Sequence, residues 1–155
     1  MNSTLEQHIR EADGRYLTDL ELRSLEGYAQ SYQLRSTAYS LLCERSESLI
    51  QQVLDRLATT ESTVIREHGE TCRRDMTYVL RSIALAVLRD DDQGFREQLI
   101  LWMQNIMMAL RKEAQSARAY QYLQEIIAQQ LPTDCANLIN RNLQEFIQAL
   151  NLGLQ

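Results

Sequence analysis

Residues 72–88 read Cys-Arg-Arg-Asp-Met-Thr-Tyr-Val-Leu-Arg-Ser-Ile-Ala-Leu-Ala-Val-Leu, and this stretch decides the fold class. Its apolar residues recur every three or four positions, at Met76, Val79, Leu80, Ile83, Ala84, Val87 and Leu88. This period is typical of an amphipathic α-helix with one face turned to a core. The acidic run Asp90-Asp91-Asp92 follows, and it predicts the end of the helix and a solvated loop.

Helical periodicity continues through the flanking sequence, where no segment alternates as a β-strand does. Thr18 and Glu21 form a capping box, which predicts a helix start. Polar residues 59–71 include Gly69 and predict a loop or a frayed helix start. The predicted helices are 3–12, 18–31, a long helix over 34–57, 72–88, a centrally buried helix over 95–109, 120–131 ended by Pro132, and 133–150. We expect an all-α fold of six to eight helices, packed as in a globin-like fold.

Length and composition indicate one domain over residues 1–155. The chain is 45% apolar and has five Gly and one Pro, which argues against disorder and turn-rich β-folds. Its net charge of −5 argues against a nucleic-acid partner. No apolar run reaches the roughly 20 residues of a membrane span, and the amino terminus lacks a signal-peptide pattern. We therefore expect no membrane span and a cytosolic protein with reduced cysteines.

Familiar catalytic and metal motifs are missing from the sequence, so we expect no enzyme and no metal site. His68 and Cys72 lie four residues apart, but two ligands do not make a zinc site. The pair also lacks the donors that a cysteine hydrolase needs. The stripe of Met103, Met107 and Met108 is interpreted as core filling, and so is Cys43.

The helix that begins near Cys72 combines several reactive or charged groups in its first turn. Cys72 and Asp75 are three residues apart and share a helix face, with Arg73 and Arg74 between them. A thiol can bond a vinyl-like carbon, a carboxylate can accept ring N–H groups, and guanidinium groups can clamp carboxylates. From spacing alone, an exposed helix start with a half-buried cysteine remains the simpler alternative.

A resemblance changes this interpretation. The pattern Cys-x-Arg-Asp-x-x-Tyr-x-Leu-Arg resembles the chromophore-attachment helix of phycobiliproteins, the light-harvesting subunits of the phycobilisome. The matching positions are Cys72, Arg74, Asp75, Tyr78, Leu80 and Arg81. Gly14 to Thr18, with Glu21-Leu22 and Leu34-Arg35, is similar to the first helices of that family. Pro132 to Cys135 resembles the segment that carries a second bilin cysteine in some members.

The resemblance implies a globin-like fold with an amino-terminal helical pair that packs against a related subunit, as a heterodimer or homodimer. The pair would comprise residues 3–13 and the stretch after Tyr16, with Asp13 and Arg81 in an inter-subunit salt bridge. Cys72 would bond phycocyanobilin or a related linear tetrapyrrole, and Asp75 would hold its central nitrogens. The other ligand-binding residues would be Arg73, Arg74 and Tyr78. The location implied is the cytoplasmic face of the thylakoid membrane.

Two departures from the family pattern keep alternatives open. Only fourteen residues separate Leu57 from Cys72, and residues 107–112 stand where a Leu-Gly-x-Pro turn is expected. Both departures fall around the expected chromophore, so a pocket wall is missing or the pigment is lost. The first hypothesis is a bilin-carrying antenna subunit, and the second is a pigment-free scaffold or assembly factor for photosynthetic complexes. A bilin lyase or isomerase lacks a supporting acid–base pair.

Overall fold

Seven α-helices make up the regular structure of the described chain, a computed structural model that covers residues 2–106 and 113–152. The helices are α1 (Ser3–Glu11), α2 (Asp19–Gln30), α3 (Tyr32–Thr60), α4 (Ser62–Arg89), α5 (Asp92–Ile106), α6 (Glu113–Gln130) and α7 (Thr133–Leu152). The covered residues contain no strand. The expectation of an all-α fold is therefore confirmed.

The longest helices, α3 with 29 residues and α4 with 28, form a hairpin joined by the single residue Glu61. Backbone angles of φ −138° and ψ 53° at Glu61 break the helix. Arg118 of α6 donates a hydrogen bond to the Glu61 carboxylate at a distance of 2.5 Å. The prediction of a loop over residues 59–71 was wrong, because α4 already begins at Ser62. A polar stretch can be helical when its faces are solvated, and Gly69 costs such a helix only about 1 kcal/mol.

The apolar core lies between α3, α4, α6 and α7, with α5 against one side. Its fully enclosed side chains include Leu49, Ile83, Leu123, Ile139 and Phe146. Helix α5 turns Phe95, Leu99 and Trp102 inward but leaves Leu101 60% exposed. The prediction that this helix is central was therefore wrong, since one of its apolar faces meets solvent.

The first two helices form a pair that packs only lightly on the body. The predicted capping box is present, because the Thr18 hydroxyl accepts from the Glu21 amide while the Glu21 carboxylate accepts from the Thr18 amide. In α2 only Glu21 is buried. Large apolar side chains of this region are exposed instead: Tyr16, Leu20, Leu22 and Leu25. The pair thus presents an apolar surface that residues 2–106 and 113–152 leave exposed.

The corner between α4 and α5 differs from the solvated loop predicted for the three aspartates. Asp90 adopts a left-handed backbone conformation, with φ 53°, and ends α4. Asp91 is only 7% exposed and accepts hydrogen bonds from α1 and α5. The prediction was wrong for Asp91, because local composition does not reveal that a distant segment supplies hydrogen-bond donors to this carboxylate.

Candidate functional site

The middle of α4 carries the motif, and its helical geometry decides which side chains meet. Cys72 and Asp75 lie one turn apart on the face that continues into the buried Met76 and Val79. Cys72 is half-buried and packs against the core. The Asp75 carboxylate is 23% exposed. Burial raises the pKa of Asp75, and the neighbouring Arg74 guanidinium partly offsets this effect.

Tyr120 of α6 is a buried phenol whose electrostatics involve this pair, and the spacing of the motif does not assign it to the site. Its side chain is 4% exposed and meets the Phe146 ring edge-on at 4.6 Å between centroids. Burial raises the pKa of Tyr120 well above its usual value, and the charges of Asp75 and Cys72 add to the effect. The apolar spacing of Tyr120, Leu123 and Ile127 indicated only a core position.

The two arginines of the motif point away from each other. Arg74 is 75% exposed, and its Nε lies 3.6 Å from a carboxylate oxygen of Asp75. Arg73 turns toward α3, where it donates to the Gln51 side chain. Its Nε lies 4.0 Å from a carboxylate oxygen of Glu70, one turn earlier on α4 itself. Arg74 and Asp75 are thus brought together, whereas Arg73 is held on another side of the helix.

Tyr78 lies on a third side of α4, toward α5. Its ring stacks on Trp102 with 5.9 Å between centroids and 13° between planes, and its hydroxyl accepts from Gln98 over 3.3 Å. Trp102 in turn contacts the ring of Phe146 at 5.6 Å. A row of aromatic rings therefore connects the exposed Tyr78 with the buried Tyr120.

The other two cysteines differ sharply in accessibility. Cys43 is exposed at the α3–α4 groove, beside the Tyr39 hydroxyl, so its interpretation as core was wrong. Cys43 directly follows the buried Leu42, and one helical position turns its side chain about 100° away from the core face that Leu42 and Leu49 fill. Cys135 is 2% exposed, and burial raises the pKa of its thiol, with Asp134 adding to the effect. Cys135 is therefore poorly placed for a second attachment. No disulfide joins any of the three cysteines.

The groove between α3 and α4 has a volume of about 530 Å³ and contains Arg81. Its apolar floor includes Leu42, Ile50 and Leu80, and acidic side chains line the α3 side. Asp13 is exposed in the turn between α1 and α2. Asp13 and Arg81 form no ion pair with the described part of the chain.

Metal-binding groups and membrane-spanning helices are both absent from the residues that the structure describes, 2–106 and 113–152. These residues contain no group of three His, Cys, Asp or Glu side chains that could hold a metal ion. His68 and Cys72 therefore do not belong to such a group within residues 2–106 and 113–152. Among the helices that the structure describes, none is long and apolar enough to cross a membrane. The methionine stripe at 103, 107 and 108 lies outside the side chains described.

Comparison with known proteins found a family model and a relative that match most of this chain. A family model described as "Phycobilisome protein" matches residues 8–150. A protein of Nostoc sp. strain PCC 7120, named putative allophycocyanin subunit alpha 2, is 25% identical over 125 residues. That match covers 73% of this chain and 78% of the relative. The family match extends beyond the motif from the first helix almost to the last residue of α7.

Proposed function

The chain belongs to the phycobilisome protein family, and from this premise we propose that it is a phycobiliprotein-like subunit that carries a linear tetrapyrrole covalently on Cys72. Its fold is the all-α, globin-like fold of that family. Residues 1–155 act as one domain in this proposal. The role is light harvesting and energy transfer, and it requires no catalytic step of the protein's own.

One observation carries the proposal: Cys72 and Asp75 are half-buried on one face of α4, where Cys72 packs against the core. The Cys72 sulfur would add across a vinyl or ethylidene double bond of the tetrapyrrole. A C–S bond forms, the thiol proton is transferred to the adjacent carbon, and no external oxidant is needed. The chemistry supplied by phycocyanobilin or a related bilin would be absorption of visible light.

The surrounding residues fit such a ligand to different degrees. Asp75 is poorly hydrated, as its raised pKa indicates, so N–H donors from pyrrole rings would stabilise its charged form. Arg74 is exposed beside it and could bind a propionate bidentately. Tyr78 would contact the pigment through its exposed ring edge. Arg73 would first have to release Gln51, so we assign it the weakest role.

Pigment attachment can be tested by co-producing the chain with phycocyanobilin and bilin lyases in a bacterial host. We expect a visible absorption band and zinc-enhanced fluorescence of the denatured band on a gel. Cys72→Ala should abolish both signals. Cys43→Ala is the matched control, because Cys43 is the more exposed thiol and lies outside the motif. A colourless product, under conditions that colour a known subunit, would overturn the proposal.

We also propose that the helical pair binds a related subunit. The exposed Leu20, Leu22 and Leu25 of α2 supply an apolar surface. Asp13 would pair with Arg81 of the other subunit, since both are exposed and carry opposite charges. The assembly would lie at the cytoplasmic face of the thylakoid membrane, next to photosynthetic complexes.

A second candidate is a pigment-free scaffold or assembly factor of the same family. The observation that favours it is the one-residue link between α3 and α4, which leaves no loop to cover a pigment near Cys72. This candidate retains the subunit surface but loses the ligand. A colourless protein that still associates with a phycobilisome subunit would favour it over the first candidate.

A further inference from the structure

Asp91 is the most unexpected buried group outside the motif. Its Oδ1 accepts from the Ser3 amide at 3.1 Å, from the Ser3 hydroxyl at 2.8 Å and from the Gly94 amide at 3.2 Å. Ser3 is the first residue of α1 and Gly94 lies in the first turn of α5. One carboxylate therefore joins helices that begin almost ninety residues apart.

The acceptor is held firmly by the body of the protein. Arg89 lies 3.6 Å from Asp91, and the Gly94 amide belongs to the positive end of α5. Burial raises the pKa of Asp91, but the Ser3 donors, the Gly94 amide and Arg89 together lower it below its usual value. The carboxylate is thus held by Arg89 and the Gly94 amide of the body as well as by the two hydrogen bonds from α1.

A second attachment lies at the same end of α4. Arg35 is 2% exposed, and its guanidinium donates to the Leu88 carbonyl of α4 and the Tyr28 carbonyl of α2. It also donates to the Ser31 hydroxyl over 2.9 Å and lies 4.3 Å from the centroid of the Tyr28 ring. The residues at both ends of the α1–α2 segment are therefore tied to one corner of the body.

We infer that Asp91 is a positioning residue that latches the N-terminal arm, residues 2–31, onto the α4–α5 corner and holds it ready for docking. A preformed arm spares a partner the entropic cost of ordering it. The latch belongs to the single chain and stands whether or not Cys72 carries a pigment. Its failure is therefore distinguishable from failure of the proposed function.

Ser3→Pro removes both arm donors and leaves the Asp91 bond to Gly94 intact. Proline is favoured at the first position of a helix, and Asn2 before it already has φ −78° and ψ 157°, which proline allows. Helix α1 should therefore keep its propensity while it loses both of its hydrogen bonds to Asp91. We expect amide hydrogen exchange in residues 5–11 to rise at least about tenfold. Exchange in α7 should stay unchanged.

Gly94→Ala tests the latch from the other side, without any change in the arm. A Cβ at Gly94 would lie 2.3 Å from Asp91 Oδ2, so the carboxylate must move. Helix propensity alone predicts that this substitution stabilises α5 by about 1 kcal/mol. The latch instead predicts faster exchange in the distant α1.

Thr4→Ala, an exposed neighbour of Ser3, serves as the control and should leave exchange in α1 as it is in the wild type. Exchange in α1 that rises in both test variants, with α7 unaffected, supports the latch. Unchanged exchange in α1 of Ser3→Pro, or a rise spread over the whole chain, would overturn it.

Discussion

At the residue scale, Glu21 shows how one carboxylate organises a turn. It accepts from the Thr18 amide at 2.7 Å and from both terminal nitrogens of Arg15 at 2.9 and 3.0 Å. These bonds, that of Arg15 first, lower the pKa of Glu21 from 4.5 to about 2, against the opposing effect of burial. The turn between α1 and α2 therefore depends on a charged Glu21.

A pH dependence follows from this shift. The pKa of Glu21 is depressed in the folded state, so its stabilisation is present above about pH 4.5 and is lost as the pH falls toward 2. We expect Glu21→Gln to lower the thermal midpoint at pH 7. Near pH 2 the difference in thermal midpoint between the variant and the wild type should be smaller, because Glu21 is then partly protonated in the wild type as well. Glu26→Gln, exposed on the same helix, is the control. A constant gap between wild type and Glu21→Gln from pH 7 to 2 would contradict this assignment.

At the scale of elements, the sequence correctly predicted the features that depend only on residues close together in the chain. The period of residues 72–88, the Thr18–Glu21 capping box and the stop at Pro132 all correspond to observed features. The polar residues after Thr60 misled the prediction, because a solvated helix and a loop share the same composition. The burial of Asp91 could not be predicted either, since Ser3 supplies its donors from the other end of the chain.

The candidate site was predictable only along its own helix. Helical spacing correctly placed Cys72 and Asp75 on one face, since that relation needs three residues of α-helix and nothing else. Tyr120 was missed, because the place of α6 in the tertiary fold cannot be read from the spacing of residues along α4. The separation of Arg73 from Arg74 could not be predicted either, because Arg73 is drawn aside by its hydrogen bond to Gln51 of the neighbouring helix α3.

Truncation of an apolar side chain should cost much more stability in α7 than in α2. Ile139 of α7 is fully buried, so Ile139→Ala should lower the free energy of unfolding by about 2–5 kcal/mol. Leu20 of α2 is 71% exposed, so Leu20→Ala should change it by no more than about 0.5 kcal/mol. Urea denaturation of both variants measures the difference. Equal destabilisation would mean that α2 is packed against its own chain.

At the scale of the whole molecule, α4 links two functions. Its centre carries the Cys72 motif, and its C-terminal end holds the N-terminal arm through Leu88 and the following Asp91. Leu88 lies sixteen positions after Cys72 on this helix, a rise of about 24 Å along the axis. The helix that carries the proposed pigment site therefore also holds, at its C-terminal end, the arm that carries the proposed subunit surface.

Association through the arm predicts a response to charge at its tip. Asp13→Arg would place two cations together at the interface with Arg81, and we expect self-association to weaken by about tenfold. Sedimentation velocity over a concentration series measures this change. Combining Asp13→Arg with Arg81→Asp should recover much of the loss. A dissociation constant that is unchanged in Asp13→Arg would contradict the assigned pair.

The most direct test of the account is mass spectrometry of the chain purified after co-production with phycocyanobilin and bilin lyases. Trypsin cleaves after Arg66 and Arg73, which isolates Cys72 in the peptide 67–73. The account predicts that this peptide carries the mass of one bilin, while the peptides that contain Cys43 and Cys135 carry none. An unmodified peptide 67–73, or a bilin found on Cys43 instead, would contradict it.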